Sequence, residues 1–341
     1  MKFPLVSIII ANWNGKEVLK DCLDSLVKIN YPNWELVLVD NGSTDGSERL
    51  VENYQTKIKK IVLVKNNSNL GFARANNQGY GKSKGEYLLL LNNDTKVKPD
   101  LINVLVSRIE QDKYLAVVQP KIFLMDKPGY LDNAGSFFTR IGFLDHWGFM
   151  QKDGPEYDKE QEIFSAKGAC LLIRREVVDK IGLFDNDFGS YFEETDFCWR
   201  AEIIGYKVLY YPKTFIYHKV GFTTRRQNVL DINFNSYKNR ICSQLKNLQT
   251  YNLFLILIPH LIVSLGIAAL FLLRLQPKNS IIILKSISWN INSLSATWKK
   301  RNEIQKNRTV SDNELFRKLS RKVNWKKFFL DFKRIEEDIK R

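Results

Sequence analysis

Short β-branched and leucine-rich runs alternate with stretches of helical spacing along the amino-terminal part of this chain, and that alternation limits the folds open to it. Residues 5–10 form a run of buried-strand type, and residues 18–29 follow with Leu19, Cys22, Leu23, Leu26 and Val27 at helical intervals. Then come a strand at 35–39, a helix from about 47 to 55, a strand at 61–64, a helix from 71 to 82 and a strand at 86–91. Strands alternating with helices predict an α/β fold whose parallel sheet is covered on both faces. Ligands of such sheets bind beyond the carboxyl ends of the strands. Three ends carry short polar residues: Asn12-Trp13-Asn14-Gly15, Asp40-Asn41-Gly42-Ser43-Thr44-Asp45 and Asn92-Asn93-Asp94. Any one of these loops reads equally as a set of turn formers. Together, on one rim, they point to a binding site.

The formal net charge of +15 is unevenly distributed. Residues 299–341 hold 15 Lys/Arg against 7 Asp/Glu, so 8 of the net charges sit in the tail and the rest of the chain is more balanced. Cys22, Cys170, Cys198 and Cys242 are scattered, without CxxC or metal-finger spacing, as expected of reduced thiols in a cytosolic compartment. Met1-Lys2 leads directly into a strand-like run with no signal-peptide layout, so the body is expected in the cytoplasm. Recognisable basic-aromatic modules are lacking, which argues against a nucleic-acid partner.

From 137 to 191 the pattern is looser. A strand lies within 165–175, a helix from 176 is stopped by Gly182, and residues 191–201 are helical in spacing with an acidic start. Residues 206–211 form a last strand, and Phe215-Ile216-Tyr217-His218 closes the domain. Asp94 at a strand end suits a divalent cation that neutralises a diphosphate. Glu193 or Glu194 at a helix start suits removal of a proton from an attacking hydroxyl, although the helix dipole alone also favours acids there.

The series Val39-Asp40-Asn41-Gly42-Ser43-Thr44-Asp45, Asn69-Leu70-Gly71-Phe72-Ala73-Arg74-Ala75-Asn76-Asn77 and Leu91-Asn92-Asn93-Asp94-Thr95 resembles glycosyltransferase family 2, in its rhamnosyltransferase-like branch. Lys167-Gly168-Ala169, Gly182-Leu183-Phe184-Asp185, Tyr191–Arg200 and Tyr217-His218 continue the likeness in order, over roughly residues 4–220. The resemblance implies a GT-A fold, Rossmann-like, and an inverting single displacement. It places Asp40 at the nucleotide base with Arg74 beside it, and Asn12, Asn92, Asn93, Asp94 and Lys167 at the donor. Asn92 replaces the first Asp of the family's Asp-x-Asp motif, so metal binding (Mg²⁺ or Mn²⁺) rests on Asp94, with His218 as second ligand. Glu194 takes the place of the catalytic base, with Glu193 and Asp196 expected either to contact the acceptor or to support the base. The Gln-x-x-Arg-Trp signature of processive synthases is absent, implying one sugar per encounter.

Residues 253–273 carry no formal charge and are long enough to span a bilayer. Leu284, Ile287, Ile291, Leu294 and Trp298 then repeat at helical intervals opposite Lys285, Ser286, Ser288, Asn290 and Asn292, predicting one amphipathic helix suited to a membrane interface. A single span would place the basic tail outside, against the positive-inside tendency, so a hairpin (about 252–298) on the cytoplasmic leaflet is preferred. Ser311-Asp312-Asn313-Glu314 reads as a capping box. The expectation is thus a GT-A domain over 1–240 and a mostly α-helical, membrane-associated region over 241–341. Together they would move a sugar from a UDP- or dTDP-sugar to a glycan or lipid-linked acceptor, at the cytoplasmic side of the cell membrane. The rival is an inactive, sugar-nucleotide-binding scaffold, for which Asn92 speaks.

Overall fold

The computed structural model describes residues 3–222 and 228–330, so the last part of the basic tail lies outside the described residues. The chain divides into two compact units interleaved in sequence: 1–136, 146–189 and 206–220 form the first, and 137–145, 190–205 and 221–341 the second. A linear cut at 240 would pass through a continuous helix, Val229–Asn247.

In chain order the first elements are β1 (Val6–Asn12), α1 (Lys16–Leu26), β2 (Trp34–Asp40), α2 (Ser47–Glu52), β3 (Ile61–Lys65), α3 (Phe72–Lys82) and β4 (Tyr87–Leu91). Next are β5 (Thr95–Val97), α4 (Leu101–Glu110), β6 (Leu115–Leu124), β7 (Leu131–Asn133), β8 (Ser136–Thr139), β9 (Leu144–His146) and β10 (Gln161–Glu162). β11 (Cys170–Arg174), α5 (Arg175–Ile181), α6 (Glu193–Ile203), β12 (Lys207–His218) and α7 (Val229–Asn247) follow. The chain continues through α8 (Thr250–Asn252), α9 (Ile258–Leu273), α10 (Pro277–Asn292), α11 (Leu294–Lys306), α12 (Asp312–Leu319) and β13 (Ser320–Arg321).

The first unit is built on one sheet in the order β10-β12-β6-β11-β4-β1-β2-β3. β1 to β4 are mutually parallel where they pair, and their neighbours along the sheet place the ends of β4, β1 and β2 side by side. The sheet is mixed rather than parallel throughout, because β11 runs antiparallel between β4 and β6. The loop before β11 arrives at the polar rim, where Asn92 N donates to Ala169 O at 3.0 Å, so the strand has to start there and run back. The last strand expected at 206–211 continues to His218 as β12, with an irregular register between Tyr211 and Phe215.

Alternation in β1 explains the two covered faces. Ile8 and Ile10 pack with Leu19 and Leu23 of α1 and with Leu101 and Leu105 of α4 in one core. Ile9 points the other way, onto α3, where a Cβ added to Gly79 would lie 2.4 Å from Ile9 Cγ2. A glycine there lets the helix approach the sheet.

The second unit centres on α7, which packs against α6, α10 and α11. α8 runs through a π-helical turn at Leu253–Leu257 into α9, and α10 packs against both α9 and α7. The helix expected over 284–298 is broken at Ser293, between α10 and α11. Ser311 caps α12 by accepting from Glu314 N at 3.2 Å, as its motif predicts. β8, β9 and β13 form a small sheet.

Replacing Gly79 with Ala overpacks the α3–β1 contact against a β-branched side chain that has little freedom to yield. The expected loss is ~1–3 kcal/mol of unfolding free energy, read from denaturant midpoints with an unchanged m-value. A variant as stable as the parent would show that α3 can lift off the sheet at no cost.

Candidate active site

In the first unit the three polar strand ends meet through side chains. Asn93 Nδ2 donates to Asn12 Oδ1 at 2.7 Å, and Asn12 Nδ2 donates to Asp40 Oδ1 at 3.2 Å. Asp40 Oδ2 accepts from Ser43 N at 3.0 Å, and Ser43 Oγ accepts from Asn14 N at 2.9 Å. Gly15 closes this cluster tightly, since a Cβ there would lie 2.2 Å from Asn93 Nδ2. Asn12 has no exposed surface and Asn93 very little, so both hold Asp40 and the loops in place instead of presenting free amides. Asn92 differs: its Oδ1 is buried and accepts no hydrogen bond. A buried acceptor without a donor costs ~1–3 kcal/mol, which a ligand hydroxyl would offset.

The Gly71–Asn77 motif does more than carry Arg74. Asn77 Nδ2 donates to Phe184 O at 2.8 Å, Asn77 Oδ1 accepts from Phe184 N at 3.0 Å, and Ala73 N donates to Gly189 O at 2.8 Å. Phe72 stacks on Phe184 with centroids 6.2 Å apart. The motif therefore pins the loop 183–189 onto α3. Arg74 is exposed, with Nε donating to Asn186 O at 3.2 Å.

At the far end of β12, His218 joins two carboxylates. Its Nδ1 lies 2.8 Å from Asp132 Oδ2 and its Nε2 lies 3.2 Å from Asp94 Oδ1. Lys167, half-exposed, brings Nζ to 3.8 Å from Asp132 Oδ1. Sequence reasoning found Asp94, His218 and Lys167 and missed Asp132, which is fully buried in β7. An aspartate inside a short buried strand was the available signal. Burial works against both charges here. It is outweighed at His218 by Asp94 and Asp132, which raise the imidazole to about 9, and at Asp132 by Lys167 and His218, which lower the carboxyl to about 2.

Asp94 Oδ1 is buried and accepts no hydrogen bond, although His218 Nε2 faces it. A carboxylate oxygen and an imidazole nitrogen facing each other, with a second carboxylate fixing the ring from behind, form the ligand pattern of a metal site. Among the described residues no three His, Cys, Asp or Glu side chains gather around one point. Asp94 and His218 would thus supply two ligands to a divalent cation, leaving the others to phosphate and water. That suits Mg²⁺ or Mn²⁺, which keep several non-protein oxygens.

The second unit carries the acidic helix start. Tyr191 and Phe192 both have φ of 71°, a left-handed conformation that costs roughly 1–2 kcal/mol for a residue with a Cβ. Asn239 of α7 holds this turn, with Nδ2 donating to Tyr191 O at 2.6 Å and Ser190 O at 3.0 Å. Sequence reading missed Asn239, because nothing in a helical stretch marks its partner. Glu193 is buried, and burial first, then Glu194, pushes its carboxyl well above the usual range. Glu194 is more exposed than Glu193. Asp196 is fully buried and accepts from Arg200 Nε (2.9 Å), Ser243 Oγ (2.7 Å), Asn247 Nδ2 (3.0 Å) and Lys246 Nζ (3.2 Å). It anchors α6 to α7 and is not placed to receive a substrate.

A profile described as "Glycosyl transferase family 2" matches residues 7–182. The chain belongs to glycosyltransferase family 2. The teichuronic acid biosynthesis glycosyltransferase TuaG of Bacillus subtilis, itself named as putative, is 33% identical over 97 residues, covering 28% of this chain and 38% of that protein. Among solved structures, S. aureus TarS 1–349 with UDP-GlcNAc superposes with a TM-score of 0.60 at 16% identity, over 88% of this chain and 89% of that one. The mannosyltransferase PcManGT of Pyrobaculum calidifontis, with GDP-Man and Mn²⁺, gives 0.54 at 15% identity over 90% and 86%. The fold of this family 2 chain is GT-A. The matched stretch makes up 24% to 38% of the first curated relatives.

Replacing Asp132 with Asn in this family 2 protein removes one of the two charges that hold the imidazolium. The His218 pKa should fall from about 9 by roughly 1–3 units, followed by NMR titration of the ring protons. Protonation of His218 stabilises the folded chain fully below the free-histidine value of 6.5 and fades as pH rises through about 9. The variant should therefore lose stability at pH 6 relative to pH 9.5. An unmoved titration would remove Asp132 from the array.

Proposed function

We propose that this protein is an inverting, non-processive glycosyltransferase that moves a hexosyl group from a nucleotide-diphosphate donor to a glycan or lipid-linked acceptor, in cell-surface polysaccharide synthesis. The observation that carries the reading is the Asp94–His218–Asp132 array. It pairs a buried carboxylate oxygen that accepts no hydrogen bond with an imidazole, at a strand end of a GT-A sheet. In this reading Asp40 receives the nucleotide base, Asn92 the ribose, and Arg74 with Lys167 the diphosphate. Asp94 and His218 hold the divalent cation, which when bound neutralises charge on the departing diphosphate. Asp132 keeps the His218 ring turned so that Nε2 faces Asp94, where the two residues would hold the cation.

Glu194 takes the proton from the attacking acceptor hydroxyl. Burial, and after it Glu194, push the Glu193 carboxyl well above the usual carboxylate range. Asp196 supports the base by fixing the helix that bears it. The motif series favours a rhamnosyl donor with UDP or dTDP. Support for a nucleotide-sugar comes from the UDP-GlcNAc bound to TarS and the GDP-Man bound to PcManGT, support for a metal from the Mn²⁺ bound to PcManGT, and support for polysaccharide synthesis from the likeness to TuaG. The protein works at the cytoplasmic leaflet of the cell membrane.

A thermal-shift panel of UDP-, dTDP- and GDP-sugars with and without Mn²⁺ should give a metal-dependent shift with one nucleotide; no shift with any would sink the donor-site reading. Glu194→Gln should lower kcat by ~10²–10⁴-fold while donor affinity, measured by calorimetry, stays within about twofold. Retained turnover would move the base elsewhere. His218 must lose its proton to bind a cation, so Mn²⁺ affinity should rise about tenfold per pH unit up to about pH 9, and a flat profile would exclude His218 as ligand.

A further inference from the structure

The carboxyl-terminal helices of the second unit bury several polar side chains among apolar ones and leave many aliphatic side chains exposed. In α10 polar groups are turned inward: Ser286 Oγ donates to Phe234 O at 3.0 Å, and Asn290 Nδ2 donates to Lys238 O at 3.0 Å, both on α7. Ser280, Ser286 and Asn290 are buried while Ile281, Leu284 and Ile291 are exposed, the last at 67%. α9 repeats the arrangement. His260 and Ser264 are buried, with His260 Nδ1 3.1 Å from Ile141 O, and Ile258, Ile262, Leu265 and Leu272 are exposed. In water this order is unfavourable, since each exposed aliphatic side chain forgoes burial. In lipid it is required, because polar side chains must find partners inside the protein.

We propose that α9 and α10 together form a monotopic docking face that lies in the plane of one anionic leaflet, with neither helix crossing the bilayer. The stretch Thr250–Leu273 is 24 residues long and contains an 18-residue window of mean hydropathy 2.5, which by length alone could span. Packing argues otherwise. α9 is seated by Phe143 against His260, with ring centroids 4.5 Å apart, and by Ile267, Ala268 and Phe271 in a core shared with Tyr237 of α7 and Ile283 of α10. A span would carry α10 and the polar α7 surface under it into hydrocarbon. The occupant is an anionic lipid surface because exposed lysines share α10 with the apolar stripe and exposed tryptophans and lysines follow it along the chain. Lys278 and Lys285 are exposed on α10, and Trp298, Trp325, Lys322 and Lys326 are exposed farther along. Such groups sit at the headgroup level and add attraction to acidic lipids.

This inference rests on the membrane location proposed above and adds its geometry. The test uses the full chain with vesicles of phosphatidylcholine alone or mixed with phosphatidylglycerol. Flotation should require the acidic lipid, and the pair Ile262→Glu with Leu284→Glu should reduce partitioning by at least about tenfold. Both sites are exposed, so the melting temperature and the nucleotide-sugar thermal shift should stay as in the parent. For the geometry, single cysteines at 258, 265 and 272 carry an environment-sensitive dye, with quenching by lipids spin-labelled at different depths. Equal shallow depths are expected at all three. A deep 265 between two shallow ends would establish a span and overturn the in-plane face while leaving membrane association intact. Absence of flotation would overturn both. Flotation unchanged in the double variant, or a parent that dimerises without lipid and no longer does so in that variant, would also overturn the face.

Discussion

A strand buried on both faces can hold a polar side chain only where it finds a partner, as Ser7 and Glu35 do in each other near the start of β1 and β2, and this constraint arranges the first unit. β1, β2 and β4 are apolar along most of their length, so Asn12, Asp40 and Asp94 appear only as each strand ends or just beyond. Parallel pairing then aligns the ends, because the register Asn12 to Asp40 places both on one rim. The hydrogen bonds from Asn93 to Asn12 to Asp40 are a consequence of that alignment. The site is thus the place where the sheet's apolar pattern stops.

Buried charge separates structural groups from chemical ones. Asp196 sits among Arg200, Lys246, Ser243 and Asn247 with its oxygens occupied, as a charge held permanently out of water must be. Asp94 is equally buried, yet its Oδ1 accepts no hydrogen bond and faces an imidazole. The fold surrounds the first carboxylate with four donors and gives the second a single facing imidazole. The strained turn at Tyr191 and Phe192, held by Asn239, is a third case, in which backbone energy is spent to set the start of α6.

In the second unit the same accounting of polar groups runs in the opposite sense. Serines and an asparagine turn inward from α10 to bond the backbone of α7, and the aliphatic side chains are left outside. Helical periodicity predicted the apolar stripe along 284–298, but a stripe has no sign. Whether it faces a protein core or the surroundings depends on what α7 offers, and α7 offers carbonyl oxygens.

The sequence by itself determined the alternation of strands and helices, the rim of polar strand ends, the cap at Ser311 and the family motifs, because each is a local or periodic property of neighbouring residues. It also named Asp94 and His218, which lie 3.2 Å apart although far apart in the chain, through the ordered motif series. Only the tertiary structure decided that β11 runs antiparallel, that Asn12 and Asn93 brace the site from beneath, and that Asp196 is an anchor. It alone supplied Asp132 behind His218 and Asn239 behind the acidic turn. These depend on which side chains meet across many residues of chain, and hydrogen bonding and burial at such distances leave no periodic trace in the order of residues.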